Sequence, residues 1–199
     1  MPLVTIEGLD GAGKTTLATG LADALPGALL LREPGGVAAA ERVRELVKDP
    51  DLHIVPRAEA LLYAAARAQL VEERLVPELE AGRLVVLDRF VDSSLAYQGA
   101  GRELGIVAVA AINAFATGGL TPDRTLLLRI DPALGRARQA GRGEAPDRLE
   151  REEDAFFGRI AAAYDGLAAA EPERFRVLDA MRPPEHVLAD ALQAVRGLA

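Results

Sequence analysis

"LVTIEGLDGAGKTTLATGLADAL", residues 3–25, sets a strand-type run, a glycine-rich turn and a helix-type run end to end. Residues 3–7 form a short apolar β run, and 15–25 have helical spacing that stops at Pro26-Gly27. The turn between them reads Gly8-x-x-x-x-Gly13-Lys14-Thr15, a Walker A frame. Glycine is required there because backbone N–H groups must approach and wrap a polyanion. Lys14 reaches the β and γ oxygens of a nucleoside triphosphate, Thr15 offers a hydroxyl to Mg2+, and the helix N-terminus adds a favourable dipole. Gly8, Leu9, Asp10, Gly11, Ala12, Gly13, Lys14, Thr15 and Thr16 are therefore the candidate ATP contacts. Asp10 is out of character, since a carboxylate in a phosphate loop should repel the ligand.

Outward from this loop, strand and helix patterns alternate with no linker, repeat or low-complexity tract. Runs at 28–32, 83–88, 125–130 and 175–179 read as further strands. Helical spacing covers 38–48, 57–81 with a break or kink at Pro77, 105–116 and 184–197. This order predicts one α/β domain over 1–199, a five-stranded parallel sheet with helices on both faces. In such sheets ligands gather at the carboxyl ends of the strands. The unusual residues fall there: Gly8, Glu33, Asp88-Arg89, Asp131 and Asp179.

Composition narrows the chemistry. The chain has no cysteine, which excludes disulfides and thiolate metal sites. His53 and His186 lack ligand-type partners at useful spacing and read as surface residues. A net charge of −7 disfavours nucleic acid as a partner. The first residues, MPLVTIEG, lack a signal-peptide pattern, and no apolar run reaches the ~18 residues of a membrane span, so the expected location is cytoplasmic. Only Lys14 and Lys48 are lysine, and one of the two falls in the Walker position.

Asp88 ends an apolar strand, where a Walker-B-type acid holds the Mg2+ shell through water; a surface ion pair is the plainer alternative. Arg89 beside it suits a second phosphate, which a guanidinium binds bidentately. Residues 134–152 carry Arg136, Arg138, Arg142, Arg148 and Arg151. They read either as a solvated charged helix or as a lid, with Gly141 and Gly143 permitting movement, that brings arginine to a transferring phosphoryl group. Transfer to an acceptor other than water needs water excluded, so a lid suits a kinase better than an ATPase.

EGLDGAGKTT (7–16), REPGG (32–36), AEALLYAAARAQL (58–70), DRFVDSSLAYQGAGR (88–102) and DRLE (147–150) resemble bacterial thymidylate kinase, in order and over essentially the whole chain. The resemblance implies a three-layer P-loop kinase fold with an arginine-rich lid. It implies a homodimer that transfers the γ-phosphoryl group of ATP to dTMP with Mg2+. By the same resemblance Tyr63 stacks on thymine, Arg67 donates to its O4, and Ser94 and Gln98 read its N3 edge. Tyr97 lies against the sugar, where a ribose 2′-hydroxyl would sit. Arg89 and Arg44 are the monophosphate candidates, Arg32 is a loop anchor, and Glu33 and Pro34 shape the wall near base and sugar. Asp10 then faces the sugar 3′-hydroxyl rather than the ATP phosphates.

The catalytic set implied is Lys14, Arg89, Asp10 and a lid arginine, first Arg142, with Arg138 or Arg148 as substitutes. No general base is needed, because the acceptor is already a phosphate oxygen. Two other readings stay open. A P-loop kinase for another acceptor, such as a nucleoside, would use Glu33 as base. A nucleotide-gated binding module would use ATP as a switch. The alanine-rich segments 58–70 and 161–170 are the candidate dimer helices.

Overall fold

The computed structural model describes residues 2–141, 143 and 145–198. Five strands, β1 (Leu3–Gly8), β2 (Leu29–Arg32), β3 (Val85–Asp88), β4 (Arg124–Arg129) and β5 (Phe175–Asp179), form one parallel sheet in the order β2-β3-β1-β4-β5. β1 is central and buried throughout, so the loop that leaves it opens in the middle of the sheet. β1 lies between β3 and β4, with β2 and β3 on one side and β4 and β5 on the other, and this reversal of strand order makes a crevice at the carboxyl ends.

Side-chain alternation divides the core between two faces. Leu3, Val85 and Leu87 pack with Leu31, Ala40, Ala66 and Leu70, which brings in α2 (Ala38–Lys48) and α3 (Pro56–Leu70). Val4, Ile6 and Val86 pack with Leu17, Leu21, Val187 and Ala191, from α1 (Lys14–Ala24) and α9 (Pro184–Val195). Full burial of side chains such as Ile6 and Leu87 contributes roughly 1.5–3 kcal/mol each. The expected parallel α/β architecture is therefore observed.

Three stretches depart from the pattern reading. The helix expected over 57–81 is broken in two: α3 passes into a π-helical turn, Val71–Leu75, before α4 (Val76–Glu80). Pro77 has no N–H to return to the carbonyl of Glu73, and the wider turn accommodates that loss. Residues 91–101, not assigned from sequence, form α5 (Val91–Ser94) and a second π-helical segment, Leu95–Gly101, that carries Tyr97 and Gln98. Part of the arginine-rich stretch is a helix, α7 (Pro132–Ala140), and Asp131 is its N-cap, accepting from the N–H groups of Ala133 (3.0 Å) and Leu134 (3.2 Å). Asp131 is thus used in capping. α6 (Ile106–Thr117) and α8 (Asp154–Ala170) complete the fold, and His53 and His186 are both exposed. Among the described residues no helix is long and apolar enough to cross a membrane.

Candidate active site

The glycine loop leaves β1 with Gly8, Gly11 and Gly13 at φ 138°, 80° and 93°, conformations that an L side chain resists. At Gly11 the constraint is also steric. A Cβ there would collide with the backbone of Gly135 in α7, so this glycine pair lets the first helix of the arginine-rich segment rest directly on the loop.

Within the loop Lys14 is turned back on its own backbone. Its Nζ donates to the Leu9 carbonyl at 2.8 Å and to Asp10 Oδ1 at 3.4 Å. Burial first, and then the Arg89 charge, push the Lys14 ammonium down to about 8, against the opposing pull of Asp10 and Asp88. Thr15 Oγ1 donates to Asp88 Oδ2 at 2.8 Å, which joins the loop to the end of β3. A hydroxyl whose proton is engaged by a carboxylate turns its lone pairs outward, and the pair offers only hard oxygen donors. That is the sparse set a phosphate-bound Mg2+ needs, since most of its ligands are phosphate oxygens and water. No cluster of three or more His, Cys, Asp or Glu suited to a metal occurs among the described residues.

Asp10 projects from the loop into a cavity that it lines with Arg89 and Tyr97. Its Oδ1 pairs with Arg89 Nη2 at 2.5 Å, and its Oδ2 accepts from the Tyr97 hydroxyl at 3.0 Å. Burial alone would raise its pKa, but Arg89 and Lys14 together hold the carboxyl well below the usual carboxylate range. Arg89 is a non-glycine residue at φ 71°. Two bonds fix the peptides that flank it: Arg89 N–H to the Ile6 carbonyl at 3.0 Å and Phe90 N–H to Glu7 Oε1 at 2.8 Å. Its guanidinium also reaches Ser93 Oγ at 3.0 Å and lies 5.0 Å from the Tyr97 ring centroid.

Glu7 was not foreseen as a site residue. It is fully buried at the end of β1, and its Oε2 accepts from Ser93 (2.6 Å) and Tyr164 (2.9 Å). Burial, reinforced by Asp92, pushes its carboxyl up to about 7. An acid inside an apolar strand was the only sequence signal for it.

Asp10, Lys14, Thr15, Glu33, Pro34, Arg44, Tyr63, Arg67, Asp88, Arg89, Ser94, Tyr97 and Gln98 line one cavity, so the structure brings the sequence-derived acceptor set together. Its far end is built on Arg67, which is 2% exposed and has a partner for every N–H donor. Nε and Nη2 pair with Glu33 Oε2 at 2.7 and 2.6 Å, Nη2 also donates to the Phe90 carbonyl, and Nη1 donates to Ser94 Oγ (2.8 Å) and Asn113. Arg67 can therefore donate to a ligand only by releasing a partner, and two of those partners, Glu33 and Ser94, themselves line the cavity. Glu33 keeps Oε1 buried without a donor among the described residues, and burial raises its carboxyl above the usual range against Arg67. Tyr63 is half-buried against the core, with no described atom hydrogen-bonded to its hydroxyl. Arg44 Nη1 holds the Pro34 carbonyl at 3.1 Å. Arg32 pairs with Glu41 through two bonds of 2.8 and 2.9 Å and also donates to Pro34, as a loop anchor would.

Of the lid arginines, Arg142 lies outside the described residues. Arg148 points away from the loop to Glu59 (2.7 Å) and the Val47 carbonyl (3.0 Å), and Arg136 pairs with Asp154. Arg138 donates to the Ala180 carbonyl at 2.9 Å and lines a second cavity with Gly13, Thr16, Ala180, Arg182 and Pro184. That cavity, which shares Gly13 and Thr16 with the first, was missed. Its signal in the sequence was the run DAMRPPE (179–185) after the last strand.

Two cavities flanking one phosphate loop, with cations at their junction, suit the transfer of an anionic group between two ligands. A family profile described as thymidylate kinase matches residues 6–191. A thymidylate kinase of Deinococcus radiodurans is 51% identical over 196 residues, covering 96% of this chain and 95% of that one. One from Halorhodospira halophila is 47% identical over 190 residues, covering 92% and 88%. The crystal structure of thymidylate kinase from Ehrlichia chaffeensis superposes with a TM-score of 0.81 at 25% identity, covering 98% of both chains.

Proposed function

The chain belongs to the thymidylate kinase family and transfers the γ-phosphoryl group of ATP to dTMP, giving dTDP and ADP; from that premise we propose how its two cavities divide the work. dTMP occupies the cavity between Asp10, Arg89 and Gln98, and ATP lies along the loop with its adenosine toward Thr16, Arg138 and Arg182. The observation that carries this reading is that Lys14, Asp10, Arg89 and Tyr97 are linked in one hydrogen-bonded group lining the first cavity, which meets the second at Gly13 and Thr16.

An oxygen of the dTMP phosphate attacks the γ-phosphorus in line. A new O–P bond forms as the bond to the β–γ bridging oxygen breaks, and ADP leaves with that electron pair. Lys14 and Arg89 neutralise charge on the moving group and on the acceptor, and the protein's part is positioning and electrostatics. Thr15 and Asp88 would hold Mg2+, which would supply positive charge to neutralise the triphosphate. Arg44 is the second monophosphate contact, Tyr63 offers a stacking face, and Arg67, Ser94 and Gln98 read the base edge. Asp10 accepts from the sugar 3′-hydroxyl while keeping Arg89 aimed. Arg138, already beside the loop, is the described lid arginine best placed to serve the transferring group. One domain spans residues 1–199, with 134–152 as its lid.

An acceptor panel under Mg-ATP tests this. ADP release should be near background alone or with thymidine, and should rise by roughly 10²-fold or more with dTMP. Equal release without any acceptor points to a nucleotide switch, and release with thymidine points to a nucleoside kinase.

The chain is also a homodimer in this reading. The outer face of α6 exposes Val107 and Phe115, 85% and 92% accessible, and neighbouring α3 exposes Leu61. α6 has no charged residue, so a second copy is the natural cover for this apolar face. Segment 161–170 shows no large exposed apolar side chain and is not part of the proposed interface. Phe115→Glu should convert a dimer to a monomer in sedimentation velocity; a wild-type monomer at tens of micromolar would overturn the assignment.

A further inference from the structure

Gln98 is an amide, and an amide can present either an acceptor or a donor to a base; something must choose. The choice is made behind it. Gln98 Nε2 donates to Glu59 Oε1 at 2.9 Å, and Glu59 is 0% exposed. The remaining surroundings of that carboxylate are also donors: Arg102 Nε at 3.2 Å, Arg102 Nη2 at 3.0 Å and Arg148 Nη1 at 2.7 Å. A carboxylate enclosed by two guanidinium groups has no hydrogen to give, so the amide group facing it must be the NH2. Gln98 Oε1 is then the atom left for the cavity, and no described residue donates to it.

We infer that Glu59, although it touches no ligand cavity itself, is the residue that sets the base specificity of the site by locking Gln98 with its carbonyl toward the base. The inference rests on the reading that Gln98 meets the N3 edge. Thymine and uracil carry a hydrogen at N3 and need an acceptor, whereas cytosine has a bare nitrogen there and needs a donor. A locked carbonyl therefore favours the first pair and leaves cytosine facing a like lone pair. Arg148 belongs to the DRLE turn, and its backbone N–H and Nε are held by the Lys48 and Val47 carbonyls. Glu59 thus ties the base-reading side chain to the arginine-rich segment as well.

The test is Glu59→Gln. The new amide has to give its oxygen to Arg102 and Arg148, so its NH2 faces Gln98. Gln98 must then rotate, offering its own NH2 to the base. The KM for dTMP should rise roughly 10–100-fold while the inhibition constant of dCMP against dTMP falls, with the KM for ATP unchanged. Glu59→Asp, which keeps the carboxylate, should retain the dTMP preference. If the single change does not fold, Glu59→Gln/Arg102→Gln removes the guanidinium left without its counter-charge and carries the same test. Equal shifts for dTMP and dCMP, or no change in their ratio, overturn the inference. Gln98→Ala separates the two levels: if it leaves dTMP kinetics unchanged, the base-reading role of Gln98 has failed. If it is damaging while Glu59→Gln leaves the ratio intact, only the locking role has failed.

Discussion

Lys14→Met is expected to lower kcat by roughly 10²–10⁵-fold while leaving the fold intact or more stable at neutral pH. The loss follows from charge. Lys14 is the cation of the glycine loop, its Nζ already lies among loop oxygens at 2.8 and 3.4 Å, and nothing else in the loop is basic. The stability half follows from burial. An ammonium pushed down from 10.5 to about 8 is disfavoured by the folded chain, which sheds its proton more readily than the unfolded chain does. Below about pH 8 both states carry the charge and the penalty is fully present; from there to 10.5 the unfolded state holds more protons, so stability contributed by this group rises with pH. Methionine removes the charge and keeps the length, so the variant should melt no lower than wild type at pH 7 and should lose that rise. ATP bound near Lys14 adds anionic oxygens and restores the ammonium. Melting curves across pH, with and without ATP, together with steady-state turnover check all of this. Wild-type-like turnover in the variant would sink the mechanism, and a collapse in melting temperature would make the lysine structural.

The loop and the parallel sheet were legible in the sequence because each depends on short-range pattern, whereas the residues of the proposed acceptor cavity came from the resemblance to thymidylate kinase. Glycines at fixed offsets announce positive φ, and apolar runs of strand length announce a buried parallel sheet. What was not legible arises from contacts between distant segments. Glu7 looked like an ordinary strand residue; its role as anchor of the Phe90 N–H and of Ser93 and Tyr164 exists only once β1 meets α5 and α8. Glu59 read as one charge on an alanine-rich helix, yet it receives Gln98 and Arg102 from one distant stretch and Arg148 from another. Arg148, counted as a possible catalytic arginine, is held by that same carboxylate. The π-helical segment that carries Tyr97 and Gln98 has no periodicity to detect, because its hydrogen bonds shift register within a few residues.

Arg89→Met should reduce kcat/KM for dTMP by roughly 10³-fold or more, and most of the informative content lies in what happens when Asp10 is changed as well. Arg89 contributes two things. In the proposed mechanism its guanidinium offers charge-assisted bonds to the acceptor phosphate, and in the structure it pairs with the carboxylate of Asp10 at 2.5 Å. Without it Asp10 faces the cavity with only Lys14, 3.4 Å away, to balance it, and a bare carboxylate then repels the incoming phosphate. The double variant Arg89→Met/Asp10→Asn lacks that repulsion and should recover about tenfold relative to Arg89→Met alone. Asp10→Asn by itself should cost less than tenfold, since the amide still bonds Arg89 and Tyr97 and can meet the sugar hydroxyl. In all three variants the KM for ATP should stay close to wild type, because Asp10 and Arg89 line the cavity proposed for dTMP while Arg138 and Arg182 line the other one. The decisive quantity is the coupling energy of the cycle, measured on kcat/KM for dTMP. Strictly additive losses would mean that the carboxylate in the phosphate loop acts independently of Arg89. A recovery in the double variant would mean that a negative charge is tolerated in the loop because the acceptor-side arginine neutralises it, and that the two residues work as one anion-binding unit.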